Sequence, residues 1–335
     1  MSTEGTSAPL LEVKGLVTRY PVPRGIVGTV ARRPKLEVHA VEGVDFTVAP
    51  GEMVALVGES GCGKTTTAQT VMRMVDHTEG EILFRGQDIG EMSAGQLQPI
   101  RRQMQIIFQD PYESLDPRFR VHDTVMEPLL IHGIGDNGKD RDERVLHALE
   151  RAGLTPPDLF ADRFPHELSG GQRQRVAIAA ALVLEPSMLI ADEPVSMLDV
   201  SVRAGILSLL DGLRRGGLGI LMITHDLSTA AHFADRIAVM YLGRIVEEGP
   251  SREVVRNPRH PYTKALISVV PKRDPRMQVE PQILTGETPN PTLVPPGCRF
   301  HPRCPIAEAR CTQTDPQLRE PDGADEGHRV ACILA

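Results

Sequence analysis

The chain has 335 residues, 41% hydrophobic and 24% charged, an ordinary balance for a soluble globular protein of about two domains. Lys plus Arg number 37 against 44 Asp plus Glu, a net charge of -7; Trp is absent and aromatics make up 4%. Such a chain is not built to coat nucleic acid or anionic lipid, and it offers few platforms for base stacking. The longest apolar run, Val176–Leu184, ends at Glu185 and is too short for the roughly 18–20 residues of a membrane span. The first residues, Met1–Leu11, show no basic stretch leading into an apolar core, so no secretory signal is expected there. The expectation is a cytoplasmic chain that takes any membrane part from a partner.

Leu10–Tyr20 reads as a strand and turn, and the Pro-, Gly- and Arg-rich residues 21–35 as a surface excursion. Alternation resumes in Leu36–Val41 and Val44–Val48, and Pro50-Gly51 marks a turn. Met53–Val57 is a short Val-rich apolar run, the pattern of a buried strand. A Gly-rich loop follows, then a helical stretch from Thr65 to about Val75, and another strand at 81–84. Residues 112–180 are helical in pattern, broken by loops at Gly133–Gly138 and Thr155–Pro157. Ser187–Ala191 and Gly219–Thr224 are two further buried strands, each preceded by a helical segment. Alternating strands and helices imply an α/β fold around a largely parallel sheet. Residues 251–335 hold 13 of the 28 Pro and read as a loop-rich appendage rather than a continuation of that sheet. The domain boundary is therefore expected near 250.

Residues 58–65 read Gly58-Glu59-Ser60-Gly61-Cys62-Gly63-Lys64-Thr65, followed by Thr66. This is G-x-x-x-x-G-K-[ST] between a strand and a helix. Glycines let backbone N–H groups turn inward around phosphate oxygens, and the helix dipole favours the anion. In that setting Lys64 reaches the β- and γ-phosphates and the Thr65 hydroxyl ligates Mg²⁺. The motif by itself says only that a nucleoside triphosphate binds. Ile190-Ala191-Asp192-Glu193-Pro194 places two carboxylates at a strand end. Asp192 is suited to hold Mg²⁺ through water, and Glu193 to act as general base on an attacking water. His225 ends the apolar run Gly219–Thr224 and can hydrogen-bond a γ-phosphate, although alone such a His is more often structural. Ser169-Gly170-Gly171-Gln172 opens an amphipathic helix and forms a second anion site of the helix-terminus kind. Two phosphate sites in one chain are explained if each completes a nucleotide pocket on a different subunit.

Over roughly residues 10–250 the sequence resembles the ATP-binding-cassette (ABC) ATPases, with the motifs in family order. Tyr20 matches the adenine-stacking aromatic, 58–65 the Walker A loop, and Gln109 in Phe108-Gln109-Asp110 the Q-loop. Leu168-Ser169-Gly170-Gly171-Gln172 matches the signature, Asp192 and Glu193 the Walker B strand, Ser196-Met197-Leu198-Asp199 the D-loop, and His225 the switch histidine. The resemblance implies a P-loop ABC-ATPase fold with a RecA-like core, a β subdomain and a helical signature subdomain at about 112–180. It implies head-to-tail dimers, with ATP between Walker A of one subunit and the signature of the other. Tyr20, the loop through Thr66, Gln109, Ser169–Gln172, Asp192 and Asp199 would contact nucleotide. Thr65, Gln109 and Asp192 would serve Mg²⁺, and Glu193, His225 and Gln109 catalysis. Ala180 and Met197 depart from the family's usual Arg and Ala; neither removes a catalytic group, and both bear on subunit contacts.

Phe108–Arg118, His260-Pro261-Tyr262-Thr263-Lys264-Ala265-Leu266 and Gly297–Pro305 resemble stretches of oligopeptide and dipeptide importer ATPases. That resemblance implies a peripheral subunit on the cytoplasmic face of the cell membrane, powering import of short peptides. Its partners would be two transmembrane permease subunits, a second related ABC ATPase and an extracytoplasmic peptide-binding protein, with no nucleic acid. Nickel, glutathione or a sugar oligomer are alternative cargoes. A soluble, non-transport cassette protein is a different class; those usually carry two cassettes or a long coiled-coil insertion, and neither is seen.

Four of the five cysteines fall in the last 38 residues, spaced Cys298-x5-Cys304-x6-Cys311-x20-Cys332. Four thiolates suit tetrahedral Zn²⁺ or an iron–sulfur cluster, and free or reversibly oxidised thiols remain open. No C-x-x-C pair occurs, which counts against a zinc ribbon. The importer resemblance implies a [4Fe–4S] cluster as a staple for a Pro-rich segment with little core. Cys62, in a variable loop position, reads as a small filler.

Overall fold

In the computed structural model, which describes residues 8–23, 36–110, 115–269, 282–284 and 286–335, strands and helices alternate as the sequence predicts. In chain order they are β1 (Leu11–Pro21), β2 (Glu37–Val48), β3 (Met53–Val57), α1 (Lys64–Val71), β4 (Glu79–Phe84), β5 (Gln87–Asp88), α2 (Ala94–Gln103) and β6 (Met104–Ile107). There follow α3 (Val121–Ile131), α4 (Gly138–Arg151), α5 (Asp158–Ala161), α6 (Gly170–Leu182), β7 (Met188–Asp192) and α7 (Val200–Arg215). The rest are β8 (Gly219–Thr224), α8 (Leu227–Phe233), β9 (Arg236–Tyr241), β10 (Arg244–Pro250), α9 (Ser251–Arg256), α10 (Pro261–Ser268) and β11 (Arg329–Val330). The chain divides into two compact units, one of Met1–Leu11, Val48–Met53 and Phe84–Ile223, the other of Glu12–Thr47, Val54–Leu83 and Thr224–Ala335.

The first unit is built on the parallel strands β6, β7 and β8, with Met104 opposite Met188 and Met188 opposite Gly219. Every residue of β7 and β8 is buried, which is why both read as unbroken apolar runs rather than alternating ones. The region 115–182 is helical: α3 packs on α4 and α6, and α4 on α6. The breaks fall where Gly and Pro predict them. Asn137 caps α4, its Oδ1 accepting from Asp140 N–H at 3.1 Å. Residues 111–114, part of the importer-like stretch, lie outside the described residues.

The second unit carries the parallel pair β3 and β9, with β10 antiparallel to β9. It also carries a sheet in the order β2-β1-β4. The helix predicted to reach Val75 stops at Val71, and Arg73 then takes a left-handed φ of 52°. The predicted surface excursion at 21–35 lies largely outside the described residues.

The tail is more than a loop-rich appendage, contrary to the expectation from its Pro content. Residues after 250 form helices α9 and α10, and β11 pairs antiparallel with β10, Val330 opposite Glu247 and Arg329 opposite Glu248. The tail therefore does extend a sheet, through a strand of two residues that no periodicity could reveal. It is held by a nest of rings: Tyr241, Tyr262 and Phe300 are each at most 1% exposed, with centroids 4.8 to 5.5 Å apart.

Candidate functional site

In the second unit the 58–65 loop joins the buried strand β3 to α1, and two of its glycines are required by their surroundings. A Cβ on Gly58 would lie 2.2 Å from the Met240 carbonyl oxygen. One on Gly63 would lie 2.2 Å from that of Ala40, and Gly63 has φ +109°. The loop is thus pressed against backbone on its inner side. Lys64 is buried, and its ammonium donates to the Gly58 and Glu59 carbonyls at 2.8 and 2.9 Å. Ser60, Gly61 and Thr65 are exposed, and Thr66 is half-buried. This cradle at a helix N-terminus fits a phosphate chain, and an exposed Thr65 hydroxyl fits Mg²⁺. Cys62 is buried, burial raising its thiol pKa, and it fills space as expected. Tyr20 stands half-exposed near the end of β1, and His225 is exposed just past β8. Asp226 beside it caps α8, accepting from Ser228 N–H at 2.8 Å.

In the first unit Asp192 closes β7 almost fully buried, and Glu193 follows it. Glu193 has φ 45°, a left-handed backbone that a non-glycine residue keeps only when its surroundings impose it. Its N–H donates to the Ile223 carbonyl at 2.9 Å, which fixes that turn. Gln109, 84 residues earlier in sequence, donates through Nε2 to Glu193 Oε2 at 3.2 Å. The D-loop turns on Ser196, whose hydroxyl donates to the Glu193 carbonyl at 3.1 Å. Asp199 and Met197 are exposed, and Ala180 is half-buried on α6.

The signature residues cap their own helix. Ser169 Oγ accepts from Gln172 N–H at 3.3 Å, and Gln172 Oε1 accepts from Ser169 N–H at 2.9 Å. Their side chains are therefore committed to α6, and Gly170 and Gly171 are left with bare backbone at its first turn. A Cβ on Gly171 would meet Val202 Cγ1 at 2.3 Å.

The four tail cysteines lie near one another. Cys298 feels the charges of Cys332, Cys304 and Cys311, and burial, its largest influence, raises its pKa. Each sulfur accepts a backbone N–H, from Phe300, Ile306, Glu308 and Leu334 in turn. Among the described residues, however, no three His, Cys, Asp or Glu side chains are set to hold one metal ion. His301 Nδ1 hydrogen-bonds the Cys298 carbonyl, and buried His328 pairs with Glu247.

Sequence reasoning missed the residues that hold the phosphate loop from behind. Arg303 grips Glu59 with both arms, at 2.8 and 3.2 Å, and Thr288 Oγ1 donates to Glu59 Oε2 at 2.9 Å. Glu59 N–H donates to Tyr262 Oη at 2.9 Å. More than two hundred residues separate these partners, so no local pattern could signal them.

The chain matches the ABC transporter family over residues 41–196 and the C-terminal region of oligopeptide/dipeptide transporters over 246–311. It is 46% identical over 329 residues to a Brucella ovis protein assigned as a peptide import ATP-binding protein, covering 98% of each. It is 51% identical over 280 residues to the glutathione import ATP-binding protein GsiA of Salmonella paratyphi A, covering 83% of this chain and 44% of that one. Among solved structures, the dimeric cassette MJ0796 bound to ADP and Pi aligns with a TM-score of 0.63 at 30% identity, covering 72% of this chain and 99% of that one. CbiO1 of Clostridium perfringens, part of an ABC transporter complex, also aligns with a TM-score of 0.63 at 30% identity, covering 74% and 91%.

Proposed function

This chain belongs to the ABC ATPases of the peptide-importer kind, and we propose that it binds and hydrolyses ATP to power import of short peptides across the cell membrane. The observation that carries this reading is the pairing of a full set of cassette motifs with a tail matching the oligopeptide/dipeptide transporter C-terminal region. The loop amides of 58–65 and Lys64 hold the triphosphate, and Tyr20 stacks on adenine. Mg²⁺, with Thr65, Asp192 and Gln109 to hold it, would neutralise phosphate charge. Glu193 takes the proton of the attacking water, Gln109 holding that carboxylate through its amide. His225 orients the water at the γ-phosphate. Ser169–Gln172 and Asp199 serve the nucleotide of a partner ATPase, with the helix-end N–H groups of Gly170 and Gly171 turned to its γ-phosphate.

Among the described residues no helix is long and apolar enough to cross a membrane. Its kinship to importer ATPases supports a peripheral subunit on the cytoplasmic face of the membrane, with two permeases, a second cassette ATPase and an external peptide-binding protein. Exposed Phe108, Phe119, Leu130 and Ile131 support docking on the permeases through this part of the first unit. The domain reading remains a cassette up to about 250 and a C-terminal extension beyond it. Glutathione as cargo is a second reading, favoured by the 51% identity to GsiA. A [4Fe–4S] cluster on Cys298, Cys304, Cys311 and Cys332 rests on the importer resemblance and on the four backbone N–H donors. Brown protein absorbing near 400 nm after anaerobic purification supports it; colourless protein, zinc-loaded or with four titratable thiols, refutes it.

The activity is tested by Glu193→Gln. Turnover is expected to fall by about 10²-fold or more with ATP binding retained. Near-native turnover in that variant defeats the assignment.

A further inference from the structure

Glu59 is an odd residue for an anion-binding loop. A carboxylate beside the site of a triphosphate repels what the loop must attract. Three segments of the tail meet at this residue: Tyr262 on its backbone, and Thr288 and Arg303 on its carboxylate. The Arg303 pair is bidentate, the geometry that gives an arginine–carboxylate contact both strength and direction. Arg303 is itself only 8% exposed, with its guanidinium 5.9 Å from the Tyr241 ring centroid. Burial alone would raise the Glu59 pKa, but Arg303 and Thr288 outweigh it and keep the carboxylate ionised. The other cation acting on Glu59 is Lys64, the residue the triphosphate needs.

We propose that Arg303 is a positioning residue for the phosphate loop, cancelling the charge of Glu59 and holding it back so that Lys64 and the loop amides face the nucleotide. This rests on the reading of 58–65 as the ATP site. Without Arg303, Glu59 is an unpaired negative charge beside the loop. It then competes with ATP for Lys64 and repels the phosphates. The penalty must grow with phosphate charge and shrink with salt, which a merely structural role does not require.

The test is nucleotide affinity of the full chain, measured by titration with ATP and with ADP at low and high salt. The variants are Arg303→Ala, Arg303→Lys, Glu59→Gln and the Arg303→Ala/Glu59→Gln double, with Lys64→Ala as control. Arg303→Ala is expected to weaken ATP binding about tenfold at low salt and ADP binding less, with Arg303→Lys between native and Ala. The double variant is expected to return to within about threefold of Glu59→Gln alone, because no charge is left to cancel. A double variant as weak as Arg303→Ala overturns the proposal, as does an Arg303→Ala loss equal for ATP and ADP. If Arg303→Ala does not fold, the double variant and Arg303→Lys carry the same comparison. Lys64→Ala with native affinity would instead overturn the ATP-site reading and this proposal with it.

Discussion

Glu247 lies in β10 with no solvent exposure, yet it is an acid. Its two oxygens accept from Arg259 N–H at 2.7 Å, from His260 N–H at 2.9 Å and from His328 Nε2 at 2.7 Å. Arg259 and His260 lead into α10, and His328 precedes β11, so one carboxylate ties both ends of the tail to β10. Glu247→Ala removes the acceptor and strands three donors, two of them in fully buried bonds. At about 1–3 kcal/mol per stranded donor the loss is about 3 kcal/mol or more, a large share of the roughly 5–15 kcal/mol that keeps a domain folded. Thermal unfolding should fall by about 5 °C or more, and limited proteolysis should cut the tail first. Glu247→Gln keeps one acceptor oxygen and should lose less. A midpoint within about 2 °C of native for Glu247→Ala, with an equally resistant tail, refutes the anchoring role.

His260 is fully buried and its pKa is pushed down to about 4, burial being the main cause and Lys264 adding to it against Glu247. Below about 6.5 the unfolded chain binds a proton that the folded chain refuses, so stability is full above that pH and falls toward pH 4, by up to about 3 kcal/mol. Urea midpoints across this range should show the slope, and His260→Asn should flatten it; an unchanged slope counts against the assignment. Lys64→Ala should weaken ATP binding by direct titration. Gly63→Ala, whose Cβ would lie 2.2 Å from the Ala40 carbonyl oxygen at φ +109°, should abolish it; native affinity there contradicts the cradle geometry.

Much of the site is legible in the sequence because local geometry carries it. A phosphate loop needs glycine where backbone crowds backbone, and Gly58 and Gly63 are those places. β7 and β8 read as strands because both faces are buried, leaving unbroken apolar runs. Ser169 and Gln172 are visible as a capping box. What escapes is non-local or against type. β10 carries two buried carboxylates, Glu247 and Glu248, which no apolar pattern predicts. Glu248 is paired by Arg329 and Glu247 by His328, both some eighty residues later. Arg303 stands beside Cys304 in a stretch whose cysteines draw attention to metal, while its guanidinium works on the phosphate loop. The left-handed backbone of Glu193 is likewise invisible, since nothing in Asp-Glu-Pro demands it.

If this ATPase drives a membrane importer, it must co-purify with the importer's membrane subunits. The tagged chain is drawn from native membranes in mild detergent and its companions are identified. Two multispan permeases and a second cassette ATPase are expected to come with it. A chain recovered from the soluble fraction, alone or with ribosomes or DNA, would contradict the importer role.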